Sequence, residues 1–253
     1  MTITTSSSDR SVMAGVPAAD DAPSTSWYSW AGWCGLAASA AFLATVLAVN
    51  VLGSVEESDG PDDIVRYLTD VADNSTQPLI YGISGIVLSV LYLPLAVAGY
   101  RALQRRTGAG VGSLALVVGL ATLIPAYCLS IVEGIALASA ATDLGPGGSD
   151  ALYVVHEAAT TAATVFFSIG SVLSLGVAPL LWGFESRRTG TFAPWLSWTG
   201  IVAGVTGAVW FVWFLEPPFA LLVLVVNVVT SLVFFVGVSL ALIARGRRGA
   251  GAR

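Results

Sequence analysis

The chain contains one histidine, His156, and two of its glutamates, Glu133 and Glu157, are expected at a similar depth in the fold. An imidazole beside a carboxylate can exchange a proton with it, or the two groups can bind a charged or hydrogen-bonding ligand. Ionisable and amide side chains in or beside apolar segments are costly, so their clustering is the best sequence indicator of a site. We therefore predict one pocket, open at the outer side of the fold, with the candidate residues Glu133, His156, Glu157, Tyr81, Tyr127 and Asn227.

The pocket has a simpler alternative. If one apolar helix ends at Val132 and the next begins near Ala158, then Glu133, His156 and Glu157 are solvated side chains at helix ends. If they converge instead, ligand binding should depend on pH over the range in which an imidazole titrates. The sequence leaves both interpretations open.

A serine lies among small residues in the segment Gly82-Ile83-Ser84-Gly85. Together with His156 it resembles the Gly-x-Ser-Gly and histidine dyad of rhomboid intramembrane proteases, in which the imidazole removes the serine proton. The Trp-Arg pair of the rhomboid outer loop and the extra histidine and asparagine of its second span have no counterpart in this chain. An intramembrane serine hydrolase with a Ser84/His156 dyad is therefore the alternative function, and no catalytic residue is assigned under the first interpretation.

Other chemistries lack the residues that they need. One histidine and two cysteines, Cys34 and Cys128 in separate apolar runs, cannot form a zinc site or a disulfide framework. Lysine is absent, which excludes the phosphate-binding P-loop and Schiff-base catalysis. We expect no metal, no cofactor and no basic surface for nucleic acid.

Composition assigns the chain to membrane proteins. It is 55% hydrophobic and 11% charged, whereas soluble domains carry about 25% charged residues. Several apolar runs reach the roughly 20 residues needed to cross a bilayer as a helix. We predict an all-α, six-helix transmembrane bundle with spans at about 31–52, 78–103, 112–132, 158–183, 194–215 and 218–244.

The acidic segment 53–77 contains a candidate amphipathic helix. Pro61 is suited to a first helical position. The residues that would share its apolar face are Ile64, Val65, Leu68, Val71 and Ala72. We expect this short helix on the outer side, with its apolar face on lipid or on the bundle.

Arginines are divided unequally among the loops. Those after the second, fourth and sixth spans are Arg101, Arg105, Arg106, Arg187, Arg188, Arg245, Arg247, Arg248 and Arg253, and Arg66 alone follows an odd-numbered span. Because arginine is costly to translocate, both termini should be cytoplasmic and the acidic segment outside. We predict a multi-pass plasma-membrane protein with a disordered cytoplasmic tail at 1–26, a transmembrane domain at 27–246 and a cytoplasmic tail at 247–253.

One span is echoed in the sequence. A Gly-x-Val-Leu-Ser segment that begins at Gly85 has a similar counterpart that begins at Gly170, and Pro94 recurs as Pro179. This pattern predicts a parallel repeat, in which spans two and three superpose on spans four and five about an axis along the membrane normal. Shared composition and the positive-inside rule could produce the same pattern without a repeat.

The arrangement is similar to a family of uncharacterised six-span bacterial and archaeal membrane proteins. The similarity covers about residues 30 to 245 and is clearest in Pro61–Leu68 and in the loop Gly190–Trp198. It implies a prokaryotic membrane protein of this fold class, and it assigns no reaction because that family has no established activity. We expect a non-enzymatic protein that binds or carries a small molecule or lipid, or a structural or regulatory partner in the bilayer, with a second copy of the chain as a further partner.

Overall fold

The computed structural model describes residues 25–51, 60, 63–104, 106–144, 148–209 and 217–250, and all the elements in this part of the chain are helices. The helices are α1 (Thr25–Val51), α2 (Ile64–Asp73), α3 (Thr76–Ala102), α4 (Thr107–Val132), α5 (Ala138–Leu144), α6 (Ser149–Ser171), α7 (Ala178–Thr189), α8 (Pro194–Ala208) and α9 (Pro217–Ala250). Two π-helical segments make longer rods: π1 (Glu133–Leu137) joins α4 to α5, and π2 (Val172–Val177) joins α6 to α7. Most of the predicted tail at 1–26 and the last residues of the predicted tail at 247–253 lie outside the described residues.

Five helices in the described part are long and apolar enough to cross a membrane. They are Ser26–Leu47, Thr76–Ala102, Thr107–Leu144, Ser149–Thr189 and Leu222–Arg248. The remaining predicted span, 194–215, corresponds to α8, and its second part lies outside the described residues. These helices are consistent with the predicted membrane class, and the count of six spans stays a prediction.

The long helices follow one another around the bundle in chain order. α1 packs against α3, α3 against α4, and α4 against the rod formed by α6, π2 and α7. α8 lies between that rod and α9, and α9 packs back against α1. The bundle is therefore a closed ring of helices whose neighbours run in opposite directions.

Glycines allow the closest approaches within this ring. Trp182 of α7 is fully buried, and a Cβ at Gly99 of α3 would lie 2.3 Å from its ring. A Cβ at Gly112 of α4 would also come within 2.7 Å of that ring. The Nε1 of Trp182 donates to the hydroxyl of Ser113 at 3.2 Å. The indole is therefore both packed and hydrogen-bonded between α3, α4 and α7.

The two ends of the bundle differ in charge. α3, α7 and α9 finish at one end, which carries the arginines of their last turns and is called the arginine end below. The opposite end, called the acidic end, holds α2, α5 and the start of α6. The rod Thr107–Leu144 has 38 residues and is about 57 Å long. Since a bilayer core is about 30 Å thick, this rod extends past the hydrocarbon region.

α2 is amphipathic as predicted, and its apolar face is covered by protein. Ile64, Leu68 and Val71 are buried. Ile64 and Leu68 pack in a small separate core with Leu137 and Leu152, at the acidic end. Protein, not lipid, therefore covers this face, and the side of the membrane on which α2 lies stays a prediction. The predicted helix start at position 61 lies outside the described residues.

The two prolines of the proposed repeat occur in different local structures. Pro94 lies inside α3, which is α-helical from end to end. Pro179 begins α7, directly after the π2 segment. The two hairpins have the same direction, but residues 210–215 of the second one lie outside the described residues, so the repeat also stays a prediction.

Candidate functional site

Two of the predicted pocket residues are in contact at the acidic end. Nδ1 of His156 lies 2.9 Å from Oε1 of Glu133. The hydroxyl of Tyr67 donates to the same oxygen at 3.0 Å, and the Tyr67 and His156 rings are 5.1 Å apart. These three side chains, called the acid–imidazole cluster below, bring a carboxylate, an imidazole and a phenol together.

Three separate elements position the cluster. Glu133 is the first residue of π1, where the extra residue of a π turn changes the direction in which following side chains point. His156 lies two turns into α6, and Tyr67 comes from α2. Because the buried face of α2 packs on α5 and α6, docking of α2 places Tyr67 beside Glu133.

The cluster is partly accessible to solvent. The side chains of His156 and Glu133 are 12% and 23% exposed. Glu133 follows the 26 residues of α4, a length of about 39 Å that exceeds the roughly 30 Å hydrocarbon core of a bilayer. A partly exposed carboxylate is reached by water yet interacts more strongly with a neighbouring charge than it would on an open surface.

The helices continue past the predicted span ends. Glu133 does not end a helix, because the rod runs on to Leu144, and α6 begins at Ser149. The acid–imidazole cluster therefore lies along two paired helices and not at two frayed helix ends. Glu157, the next residue after His156, is exposed.

Tyr81 and Tyr127 form a second group. Their rings meet edge to face, with centroids 5.2 Å apart. Tyr127 is buried, and Gly85 leaves room for its ring, since a Cβ there would come within 2.3 Å of it. This pair joins α3 to α4 within the bundle.

Asn227 belongs to a third group, between π2, α8 and α9. Its side-chain nitrogen donates to the carbonyl oxygens of Leu175 at 3.3 Å and Ala203 at 2.8 Å, and the residue is fully buried. Pro179 has no N–H for the carbonyl of Leu175, four residues earlier. The Asn227 side chain thus donates hydrogen bonds to backbone carbonyls of neighbouring helices.

Ser84 and His156 are engaged by different partners. The Ser84 hydroxyl donates to the carbonyl of Ile80 and lies 2.8 Å from the hydroxyl of Thr45 in α1. His156 contacts Glu133 at the acidic end. The serine of the alternative function is thus held by α1 and by its own helix.

A small cavity lies where α1, α3, α4, α6 and α9 meet. Its volume is about 40 Å³, and it is lined mainly by leucine and aromatic side chains. Ligand sites usually have volumes of about 300 to 1,000 Å³. The cavity therefore has room for a few waters at most.

Tyr67 is the member of the cluster that the sequence does not identify as a candidate. It follows Arg66 at the edge of the apolar face of α2, and only the docking of that helix brings it to Glu133. Among the described residues, no three metal-ligating side chains lie together. Comparison with protein-family models, with curated proteins and with solved structures finds no match, and the family resemblance stays a prediction.

Proposed function

We propose that the protein is a six-span plasma-membrane protein, with both termini in the cytoplasm, that binds a small ligand at the acid–imidazole cluster without chemical conversion. The observation that carries the proposal is the 2.9 Å contact between Glu133 and His156, with Tyr67 on the same carboxylate oxygen. A carrier and a regulatory binding protein both need such a site. The arrangement favours ligand binding over the hydrolase alternative because Ser84 is engaged by Thr45.

The chemistry of the cluster indicates the kind of ligand. A carboxylate that accepts the Tyr67 hydroxyl and lies beside an imidazole can exchange one of these two contacts for an ammonium or N–H group of a ligand. The protonated imidazole competes with the ligand for the carboxylate, whereas the neutral imidazole can accept a hydrogen bond from the ligand. We therefore expect a small cationic or N–H-donating molecule, bound more tightly as the pH rises from about 5 to about 8.

Thermal-shift screening of the full-length, detergent-purified protein against small amines, amino acids and other metabolites tests this proposal. A ligand present at 100 times its Kd stabilises the folded state by about 2.7 kcal/mol. The shift should disappear in Glu133→Gln and in the Glu133→Gln/His156→Ala double variant. Glu157→Gln is the matched control, since Glu157 is adjacent in sequence to His156 and exposed. Equal shifts in all these variants would contradict the assignment of the site.

A further inference from the structure

A second concave site lies at the arginine end, between the α7–α8 connection and the last turns of α9. Its volume is about 400 Å³, and its main lining residues are Thr191, Phe192, Ala193, Ala241, Arg245 and Arg248. That volume falls within the usual range for ligand sites of about 300 to 1,000 Å³. It is called the arginine pocket below.

The walls of the arginine pocket combine two kinds of surface. Positions 241, 245 and 248 recur at helical spacing and therefore share one face of α9. That face carries a small residue followed by two arginines toward the helix end. Phe192 supplies an apolar wall on the other side and is itself buried. The pocket thus offers positive charge at its outer part and apolar surface at its inner part.

Hydrogen bonds fix the connection that forms one wall. The N–H of Phe192 donates to the hydroxyl oxygen of Ser186 at 3.2 Å, and the Ser197 hydroxyl donates to the same oxygen at 2.7 Å. All three residues are buried. Because α7, the connection and α8 are linked in this way, the wall is part of the folded bundle and needs no ligand to form.

Arg245 is held in place on its helix. Its guanidinium carbon lies 5.3 Å from the centre of the Tyr28 ring, and its NH1 group donates to the carbonyl oxygen of Ala102 at 3.4 Å. A guanidinium has five N–H donors, so one such bond leaves others for an anion. The cation is pre-positioned, which lowers the entropy lost on binding.

The charge of the arginine pocket is not balanced by nearby acids in the described part of the chain. There, Glu185 is the only carboxylate of the arginine end, and its Oε1 lies 3.5 Å from Arg188. Glu185 does not line the pocket. The complementary ligand is therefore an anion.

The depth of the pocket selects among anions. Trp30, Trp195 and Trp198 at this end are 51%, 57% and 53% exposed, as expected of tryptophans in a membrane headgroup layer. Trp195 follows the pocket wall by two positions, so the pocket lies in that layer. Basic pockets between transmembrane helices at this depth are typical sites for phosphate headgroups. We propose that the arginine pocket binds the phosphate of an anionic phospholipid, with Arg245 and Arg248 as its cationic ligands.

Native mass spectrometry of the full-length protein in detergent tests this proposal. Phosphatidylglycerol should give a retained adduct, and phosphatidylcholine with the same acyl chains should give little. Arg248→Gln should lower the bound phosphatidylglycerol by roughly fivefold, since each arginine near anionic lipid contributes about 1 kcal/mol. Arg187→Gln is the matched control, because Arg187 lies over Trp198 at the same end and outside the pocket. Equal losses in the two variants would show that these arginines act only through net charge and would overturn the proposal.

Two further measurements test the location and the chemistry of the bound lipid. Ala244 also lines the pocket, and Ala244→Leu narrows it without changing charge. This variant should lower the phosphatidylglycerol adduct while the melting temperature without lipid stays within a few degrees. An unchanged adduct would place the lipid elsewhere and overturn the proposal. Inorganic phosphate at millimolar concentration should neither displace the lipid nor raise the melting temperature; if it does both, the pocket is a site for free phosphate instead.

Discussion

Oε1 of Glu133 lies 2.9 Å from Nδ1 of His156, and this contact joins the first residue of π1 to the second turn of α6. A charge pair of this kind exists only while the imidazole is protonated and the carboxylate is ionised. Tyr67 donates a hydrogen bond to the same oxygen, and this bond does not depend on imidazole protonation. A change in pH should therefore alter the contribution of the Glu133–His156 pair to stability without altering that of the Tyr67 hydrogen bond.

A double-mutant cycle measures the pair. Glu133→Gln and His156→Gln should show a coupling of about 0.5 to 3 kcal/mol near pH 5.5 in unfolding experiments in mixed micelles. The coupling should shrink as the pH rises to about 8, because the neutral imidazole no longer pairs with the carboxylate. The control cycle, Glu133→Gln with Tyr67→Phe, should keep its coupling over the same range. A Glu133–His156 coupling that stays constant with pH would contradict the ion pair.

The arginine distribution predicts the membrane topology. Seven of the described arginines are at the arginine end, namely Arg101, Arg106, Arg187, Arg188, Arg245, Arg247 and Arg248. We expect this end to be cytoplasmic, because translocation of arginines is unfavourable. A reporter that fluoresces only in the cytoplasm should therefore be bright when fused to Arg253. A dark fusion on full-length protein, together with a bright fusion in the 53–77 segment, would contradict this prediction and indicate the opposite orientation.

Packing around Trp182 should make Gly99 one of the most sensitive positions of the bundle. A Cβ at Gly99 would lie 2.3 Å from the indole ring. Overpacking in a filled core costs about 1 to 3 kcal/mol, so Gly99→Ala should lower stability despite the helix propensity of alanine. Gly110→Ala is the matched helical control, since its Cβ would be 3.3 Å from the half-buried Tyr100 ring. Equal melting temperatures for the two variants would contradict this packing role.

The sequence predicts the membrane class well because hydropathy depends on composition alone. It also indicates that Glu133 and His156 approach each other, since a hairpin brings the end of one apolar helix near the start of the next. The helix extensions to Leu144 and from Ser149 are harder to predict, because small and polar residues there carry no strong hydropathy signal.

Tertiary packing decides the features that the sequence does not reveal. Tyr67 reaches Glu133 only because Ile64 and Leu68 are buried against other helices. The π segments have no sequence signature of their own, and Glu133 is the first residue of π1. The sequence suggests Asn227 as a polar pocket residue. In the structure its side chain donates to the carbonyl of Leu175, and this contact is explained by π2 and the proline that follows it.

The role of Asn227 gives a prediction that links two distant positions. Its side chain donates to the carbonyl of Leu175, for which Pro179 has no N–H to offer. Asn227→Leu should therefore destabilise the bundle by about 1 to 3 kcal/mol, since buried carbonyls lose their donor. Pro179→Ala supplies an N–H at the position that α-helical geometry pairs with Leu175. The double variant should consequently lose less stability than the sum of the single variants.

The size of this coupling is limited and can be controlled. Asn227 also donates to Ala203 at 2.8 Å, so Pro179→Ala should restore only part of the loss. Pro94→Ala is the matched control, because Pro94 lies inside α3, whereas the Asn227 side chain bonds to π2 and α8. Effects of Asn227→Leu and Pro94→Ala should add to within about 0.5 kcal/mol, as expected for distant sites. The free energies of unfolding are measured in mixed micelles. If the effects of Asn227→Leu and Pro179→Ala also add, Asn227 does not compensate for the proline.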